Sequence, residues 1–326
     1  MKLHRKQATY NRRERGKVER VKKRRKVKKR WTPLKVMLLI ALVLVVGIGG
    51  FIGYTYYQVD QTVKKIQSPI KNTGDEVVEK QKPVSVLLLG VDRRKGETNG
   101  RSDSIMIMTL NPTQNESRLI SIPRDTKVEI VGKGTNDKIN HAYSFGGPEM
   151  AIKTVEKFLD IPINYYAEIN MEGFTSLVDA VGGVTVNNDL DFKVGDKQFT
   201  VGKINLNGDE ALKYTRMRYE DPRGDFGRQM RQRQVIEQVV AKLSSDVSVS
   251  KFNAIMDVVG KNAQTNVSFK PMRTLAFDYM DAFKNQKNLK LEGTGGKEAD
   301  GIYYWHPIDD SLAQTKTALR YSLGLE

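Results

Sequence analysis

The stretch from Thr215 to Arg233 reads TRMRYEDPRGDFGRQMRQR: six arginines in nineteen residues and no lysine. Guanidinium forks grip phosphate oxygens two at a time, which an ammonium cannot do. Arg216 and Arg218 stand two apart at the end of one helical pattern, and Arg228 opens the next. Gln232 is four residues on from Arg228 and so shares its face, and Arg231, three on, lies close to it. Farther along, Val235, Ile236, Val239, Val240 and Leu243 form an apolar stripe, so this helix is polar in its first turns and buried at its far end. Its N-terminus adds free amides and positive potential. The segment suits a fixed, multiply charged oxyanion, and a pyrophosphate fits best. The plainer alternative is a solvated face paired with Glu220, Asp221 and Asp225.

A second set of charged residues recurs at strand ends. Asp92 follows an apolar run in LLLGVDRR, Arg101 and Asp103 precede another in GRSDSIM, and Arg124 and Asp125 follow a third in SIPRD. Lys138 and Asn140 come in DKIN. If the first two strands pair through the 91–103 loop, Asp92 and Asp103 meet at one sheet edge. Two close carboxylates need a proton or a cation between them. Few, hard oxygen ligands suit Mg2+, with Mn2+ the substitute, because Mg2+ keeps waters and takes further ligands from phosphate. The alternative is a pair of loop carboxylates bridged to Arg93 or Arg101.

Other chemistries are excluded. There is no cysteine, so thiol catalysis, Cys-ligated zinc and disulfides are ruled out. His4, His141 and His306 are scattered, and His141 reads as structural. No nucleophile elbow, phosphate loop with lysine or zinc-binding histidine pair appears.

The elements that must position these residues follow from periodicity. VSVLLLG (84–90), SIMIMTL (104–110), RLISI (118–122) and YYAEIN (165–170) read as strands. PEMAIKTVEKFLDI, MEGFTSLVDAVGG, GDEALKYTRM and FGRQMRQRQVIEQVVAKL read as helices, as do VSKFNAIMDVV, PMRTLAFDYMDAF and SLAQTKTALRYSL, with strand candidates at LKLEG and GIYYW. Strands alternate with helices, which favours a sheet covered on both faces.

The formal charge of +16 is concentrated at the start: residues 1–30 hold sixteen basic and two acidic groups, while the remaining 296 hold 38 and 36. Val36 to Val59 is a run of twenty-four residues without a charge. As a helix it would be about 36 Å long, enough for a hydrocarbon core of about 30 Å. Trp31 precedes it and Tyr54, Tyr56 and Tyr57 close it, as interfacial aromatics do. No cleavage site follows, so a retained signal anchor with a cytoplasmic N-terminus is expected. Gly49 and Gly53 form a GxxxG, read as ordinary membrane-helix glycine. The expected organisation is a basic cytoplasmic tail (1–33), a transmembrane anchor (34–59), an extracellular stalk (60–82) and an extracellular catalytic domain (83–326).

LLLGVDRR, GRSDSIMIMTLNP, LISIPRDTKVEI, DKINHAYSFGGPEMAIKTVEKFLDIPINYYAEIN, GFTSLVDAVGGVTV, LNGDEALKYTRMR and GDFGRQMRQRQVI, in that order over roughly 83–245, resemble the LytR-CpsA-Psr family. The resemblance implies an α/β/α sandwich with a central mixed sheet and a long apolar pocket for a polyprenyl chain. It implies a phosphotransferase that moves a teichoic acid, capsule or other glycopolymer from a polyprenyl-pyrophosphate carrier onto peptidoglycan. By position, Asp92 and Asp103 match magnesium-binding carboxylates. Arg101, Arg124, Arg216, Arg218 and Arg228 match arginines at the pyrophosphate head, with Gln232 beside them and Lys138 a weaker match. Asp125 and Asp103 are the candidate bases for the acceptor hydroxyl. Two other readings use the same chain: a protein that only holds or hydrolyses the lipid pyrophosphate, and a membrane-tethered transcriptional regulator. The outer part has no nucleic-acid motif, so no nucleic acid is expected as partner, and the tail reads as an orientation signal and a binder of anionic lipid.

Overall fold

The computed structural model describes residues 33–68, 70, 78, 81–92, 100–245 and 249–325. The basic tail up to residue 32, most of 69–80 and Arg93 lie outside the described residues. Helix α1 (Pro33–Ile66) covers the uncharged run. The chain divides into two compact units, Met1–Tyr54 and Thr55–Glu326. Among the residues whose side chains are described, no helix is long and apolar enough to cross a membrane; most of the side chains of the expected span lie outside that set. Within the second unit the end of α1 is tied to the domain. Tyr56 meets Phe269 edge-on at 4.6 Å, Val63 and Ile66 are buried, and Gln67 forms a bridge to Thr265. Residues 60–68 of the expected stalk are therefore packed structure.

The sheet begins with β1 (Val84–Asp92), β2 (Arg101–Asn111) and β3 (Glu116–Ile122). A short hairpin, β4 (Lys127–Ile130) and β5 (Thr135–Lys138), leads into helix α2 (Ile139–Leu159), then β6 (Tyr165–Asn170) and helix α3 (Met171–Ala180). Next come β7 (Val184–Asn188), the β8 (Phe192–Val194) and β9 (Lys197–Phe199) hairpin, β10 (Gly202–Leu206), and helices α4 (Gly208–Arg216), α5 (Asp225–Ser245) and α6 (Val249–Asn262). The chain closes with β11 (Ala263–Thr265), α7 (Phe269–Asp278), α8 (Met280–Lys284), β12 (Gln286–Leu289), β13 (Gly293–Lys297), β14 (Tyr303–Pro307) and α9 (Asp309–Leu323).

Six strands form one sheet in the order β11-β6-β1-β2-β3-β12. β1 runs antiparallel to β2 and parallel to β6, and β3 runs antiparallel to β2 and parallel to β12, so the sheet is mixed. Alternation divides each strand between two cores. Leu87, Leu89, Val91, Ile105, Ile107, Ile120 and Ile122 face α2 and α9 through Tyr143, Ile152, Val155, Leu319 and Leu323. Val86, Leu88, Met106, Met108 and Leu119 face Ile236 of α5, Met272 and Leu275 of α7 and Phe283 of α8. Helices on both faces make the expected sandwich. A third cluster joins α3, α4 and α5 to the small strands through Val178, Val184, Phe199, Tyr214, Val235 and Val239.

Helix α2 differs from its sequence reading. It starts at Ile139, not at Pro148, and bends where Gly146 and Gly147 leave helical geometry. Pro148 therefore marks the restart of a broken helix. The strand expected at LKLEG is displaced: 286–289 pairs with β3, and 293–297 forms a hairpin with β14.

Candidate functional site

The ends of β1 and β3 and the start of β2 lie at one edge of the sheet. Asp92 is the register partner of Arg101, Val91 of Ser102 and Gly90 of Ser104, which leaves Asp103 as the extra residue of a bulge. A bulge re-aims a side chain without ending the strand pair. It places the second carboxylate at the same strand end as the first. The two strands close tightly here, since a Cβ at Gly90 would sit 2.9 Å from the Ser104 Cβ.

After β3 the chain turns through Pro123, Arg124 and Asp125. Arg124 donates from Nη1 to Asp103 Oδ1 at 2.8 Å. Burial works against the charge on Arg124, but Asp103, by charge and hydrogen bond, with Asp125 and Asp225, more than offsets this and raises its pKa. The turn is held from two sides. The first amides of α2 donate into it, Ile139 to the Thr126 carbonyl at 2.8 Å and Asn140 to that of Arg124 at 3.3 Å. From β14, the Trp305 amide donates to the Asp125 carbonyl at 2.9 Å. Lys138, the residue before α2, then reaches Asp125 Oδ1 at 2.9 Å.

The arginine segment divides in two. Arg231 is 2% exposed and spends its fork inside the protein: Nη1 donates to Asp221 Oδ2 at 2.7 Å, Nη2 to the Met217 carbonyl at 2.7 Å, and Nε to the Tyr214 carbonyl at 3.1 Å. Arg223 binds the other Asp221 oxygen through Nε at 2.9 Å and pairs with Asp189. Burial alone would push the Asp221 carboxyl up, but the hydrogen bonds from Arg223 and Arg231 outweigh it and bring its pKa down to about 2. Gly227 makes room, because a Cβ there would lie 1.7 Å from Asp221 Oδ2. This clasp fixes the turn from α4 to α5, which carries the other arginines.

Arg228 is 7% exposed and pairs with Asp225 Oδ1 at 2.5 Å, while its buried Nε has no hydrogen-bond partner. Burial lowers its pKa; Asp225 pulls the other way, Arg124 adds to the lowering, and Asp103 and Arg218 are also felt. Arg124, bound to Asp103, and Arg218 are thus both charges felt by Arg228. Arg216, at the end of α4, lies 3.5 Å from Asp92 Oδ2 and is exposed. Gln232 accepts from Ser104 Oγ at 3.3 Å, joining α5 to β2.

Asp92, Asp103, Arg124, Asp125, Lys138, Arg216, Arg228 and Gln232 thus share one end of the sheet, with Arg218 a further charge felt by Arg228. Arg101 stands beside Asp92 in register, exposed and without an ion pair among the described residues. Arg231 does not join the crown; it is a brace. His141 binds Asp137 at 2.9 Å, away from the crown. Three contributors escaped sequence reading. Asp225 looked like a surface counter-charge, although its spacing of three from Arg228 was a signal. The support from Trp305 and the bulge at Asp103 had no local signal.

Along one face of β1, Val86, Leu88, Gly90 and Asp92 are half-buried, while Leu87, Leu89 and Val91 between them are buried. Ala167 and Ile169, the β6 partners of Leu88 and Gly90, are also half-buried. A central strand would ordinarily be sealed on both faces. Here an apolar lane over β6 and β1 is covered only in part, by Ile236, Met272, Leu275 and Phe283, and ends at Asp92.

The donor set can be tested against a metal. Among the described residues no group of three or more His, Cys, Asp or Glu could hold one. Asp125 is taken by Lys138 and Asp225 by Arg228, which leaves Asp92 and Asp103 as the candidate pair. Arg124 occupies one oxygen of Asp103, and Arg216 stands at a long 3.5 Å from Asp92. Two hard ligands are too few for a protein-only cage or for zinc. They fit a Mg2+ ion that completes its shell with water and phosphate.

The LytR_cpsA_psr family model matches residues 53–321. The polyisoprenyl-teichoic acid–peptidoglycan teichoic acid transferase TagU of Bacillus cereus (strain AH820) is 49% identical over 288 residues, 86% of this chain and 94% of that protein. The crystal structure of B. subtilis TagU is 45% identical with a TM-score of 0.61, covering 74% of this chain and 97% of that one. The structure of TagT bound to LI-WTA is 30% identical with a TM-score of 0.64, covering 80% of this chain and 97% of that one.

Arg228→Lys and Arg228→Ala should weaken the binding of inorganic pyrophosphate, measured calorimetrically in the presence of Mg2+, by about one to two decades each. A lysine variant that binds like wild type at two salt concentrations would make Arg228 a plain charge. The clasp has its own signature. The Asp221 pKa falls from 3.8 to about 2 on folding, so its stabilisation is present above about pH 4 and is lost as pH drops towards 2. Between pH 5 and 2, Asp221→Asn should lose on the order of 2 kcal/mol less stability than wild type in urea titrations. Parallel losses in the two proteins would show that Asp221 is not held as an ion.

Proposed function

The chain belongs to the LytR-CpsA-Psr family, and we propose that it transfers teichoic acid from a polyisoprenyl diphosphate carrier to peptidoglycan. The observation that carries this reading is the partly covered apolar lane over β6 and β1, which ends at a strand edge bearing two carboxylates and several arginines. An isoprenoid chain is apolar along its length and doubly charged at one end, and the lane and crown match it in that order.

The residues divide the work. Arg124, Arg218 and Arg228 hold the diphosphate, with Arg101 and Arg216 at the exposed rim. Their forks stabilise charge that grows on the leaving lipid phosphate. Because Arg228 is buried, its interaction with that charge is weakly screened. Asp92 and Asp103 would hold Mg2+, or Mn2+ in its place, which would neutralise diphosphate oxygens. Lys138 and Arg124 flank Asp125 on its two oxygens at 2.9 and 3.7 Å, so Asp125 acts as a positioning group. Asp103 gives one oxygen to Arg124 and would give the other to the metal, so the proton of the acceptor hydroxyl ends on the departing lipid phosphate. The acceptor oxygen forms a bond to the polymer-bearing phosphorus, the bond from that phosphorus to the lipid phosphate oxygen breaks, and the lipid monophosphate leaves.

The same reading extends to placement. The uncharged run and its +14 flank support a single anchor with the tail in the cytoplasm and the catalytic unit outside.

Purified full-length protein, supplied with a short-chain polyprenyl-diphosphate-linked glycopolymer and a peptidoglycan fragment, should form a Mg2+-dependent phosphodiester product. Asp92→Asn and Asp103→Asn should lower kcat by at least two decades with the fold intact by circular dichroism. On wall-stripped cells the product should form with a membrane-impermeant acceptor added outside. Full activity of either variant in chelator would contradict the assignment.

A further inference from the structure

Beside the crown, over β3 and β12, lies a cavity of about 320 Å3 to which nothing above gives a role. Its walls are the first turns of α5, through Phe226, Gln229 and Arg233, with Ser121 of β3 and Lys290 beyond the end of β12. Arg233 donates from Nη1 to Ser121 Oγ at 3.0 Å and forms no ion pair among the described residues. Glu237, the carboxylate that acts on its charge, is already bound through Oε1 to Gln286 and Asn288 at 3.0 Å each. Burial accordingly lowers the Arg233 pKa, with only Glu237 pulling the other way. A half-buried guanidinium with an uncommitted charge calls for an anion. Lys290, ion-paired with Glu292 at 2.7 Å, stands 5.7 Å from the centre of the Phe226 ring at the exposed rim.

The cavity is joined to the diphosphate site through one carboxylate. Asp225 gives Oδ1 to Arg228 and accepts on Oδ2 from Gln229 at 2.7 Å, and Gln229 lines the cavity. The strand order sets a direction. The apolar lane lies over β6 and β1, the carboxylates are on β1 and β2, Arg124 follows β3, and the cavity lies over β3 and β12. In phosphoryl transfer the attacking and leaving oxygens lie in line across the phosphorus. If the lipid phosphate leaves towards the lane, the attacking hydroxyl arrives from the side of the cavity.

We propose that this cavity is the acceptor subsite, seating a sugar of the peptidoglycan strand against Phe226 with a stem-peptide carboxylate at Arg233, and with Lys290 exchanging Glu292 for that carboxylate at the rim. The proposal rests on the transfer reading above. A phosphodiester of the donor polymer shares the anionic sugar chemistry, but it belongs to the group being transferred and not to the incoming nucleophile's side.

The test uses the full-length protein with Arg233→Gln and Lys290→Gln. Each should raise KM for the peptidoglycan acceptor roughly tenfold, leaving KM for the lipid-linked donor and kcat near wild type. Calorimetric titration with a disaccharide-pentapeptide should show the same loss, whereas a glycerol-phosphate oligomer should bind no differently to the variants. A rise in donor KM, or weaker binding of the glycerol-phosphate oligomer alone, would assign the cavity to the polymer and overturn the proposal. Unchanged values for both substrates would also overturn it. Lys290 is 66% exposed, so its variant carries the test if Arg233→Gln does not fold. If wild type binds the disaccharide-pentapeptide through these residues but forms no product, the transfer reading fails and the subsite stands.

Discussion

Asp221 is an ion with a fully buried side chain, gripped by two guanidinium groups, and the site depends on that grip. Such a carboxylate is costly unless every lone pair is met. Here Arg231 and Arg223 meet it, and Arg231 uses its remaining donors on the Tyr214 and Met217 carbonyls. One side chain therefore closes the end of α4, fixes the turn and anchors the first turns of α5. Arg216 and Arg218 leave the turn on one side, and Arg228 enters the helix on the other. Lysine could supply charge at position 231 but not three donors in one plane. The arginine-only composition thus has two causes: oxyanion recognition at some positions and a clasp at others.

The cations converge on carboxylates from three elements. The bulge in β2 contributes Asp103, the turn after β3 contributes Arg124, and α5 contributes Arg228 and Asp225. Each is held from behind by backbone: the start of α2 and the Trp305 amide hold the turn, and the clasp holds α5. Arg228 is kept buried with an unsatisfied Nε, a costly arrangement for folding that is compensated when a phosphate oxygen arrives. The partly covered apolar lane is a second feature of the same kind. Both features suit the proposed lipid diphosphate.

Much of this was legible in local pattern. The runs at 84–90, 104–110, 118–122 and 165–170 became central strands because continuous apolar stretches of that length need cover on both faces. The carboxylates and arginines at their ends could be read together because strand ends share a sheet edge. What local pattern missed was tertiary. The start of α2 at Ile139 was masked by the Gly146-Gly147 break, and β4, β5, β8 and β9 are too short to show a period. Arg231 shares its spacing with crown residues and only packing sends it inward. Nothing local indicated that the last eighty residues complete the sheet through β12 and hold Asp125 through Trp305.

The central claim is that lane and crown together hold one lipid, chain and head at once. Mass spectrometry of lipid that stays with the full-length protein through gentle detergent extraction tests it most directly. A polyprenyl phosphate or diphosphate, bare or carrying sugar, should be retained at near-stoichiometric amount and lost together with Arg228. Retention of bulk phospholipid alone, at the same level in wild type and in an Arg228→Ala variant, would contradict it.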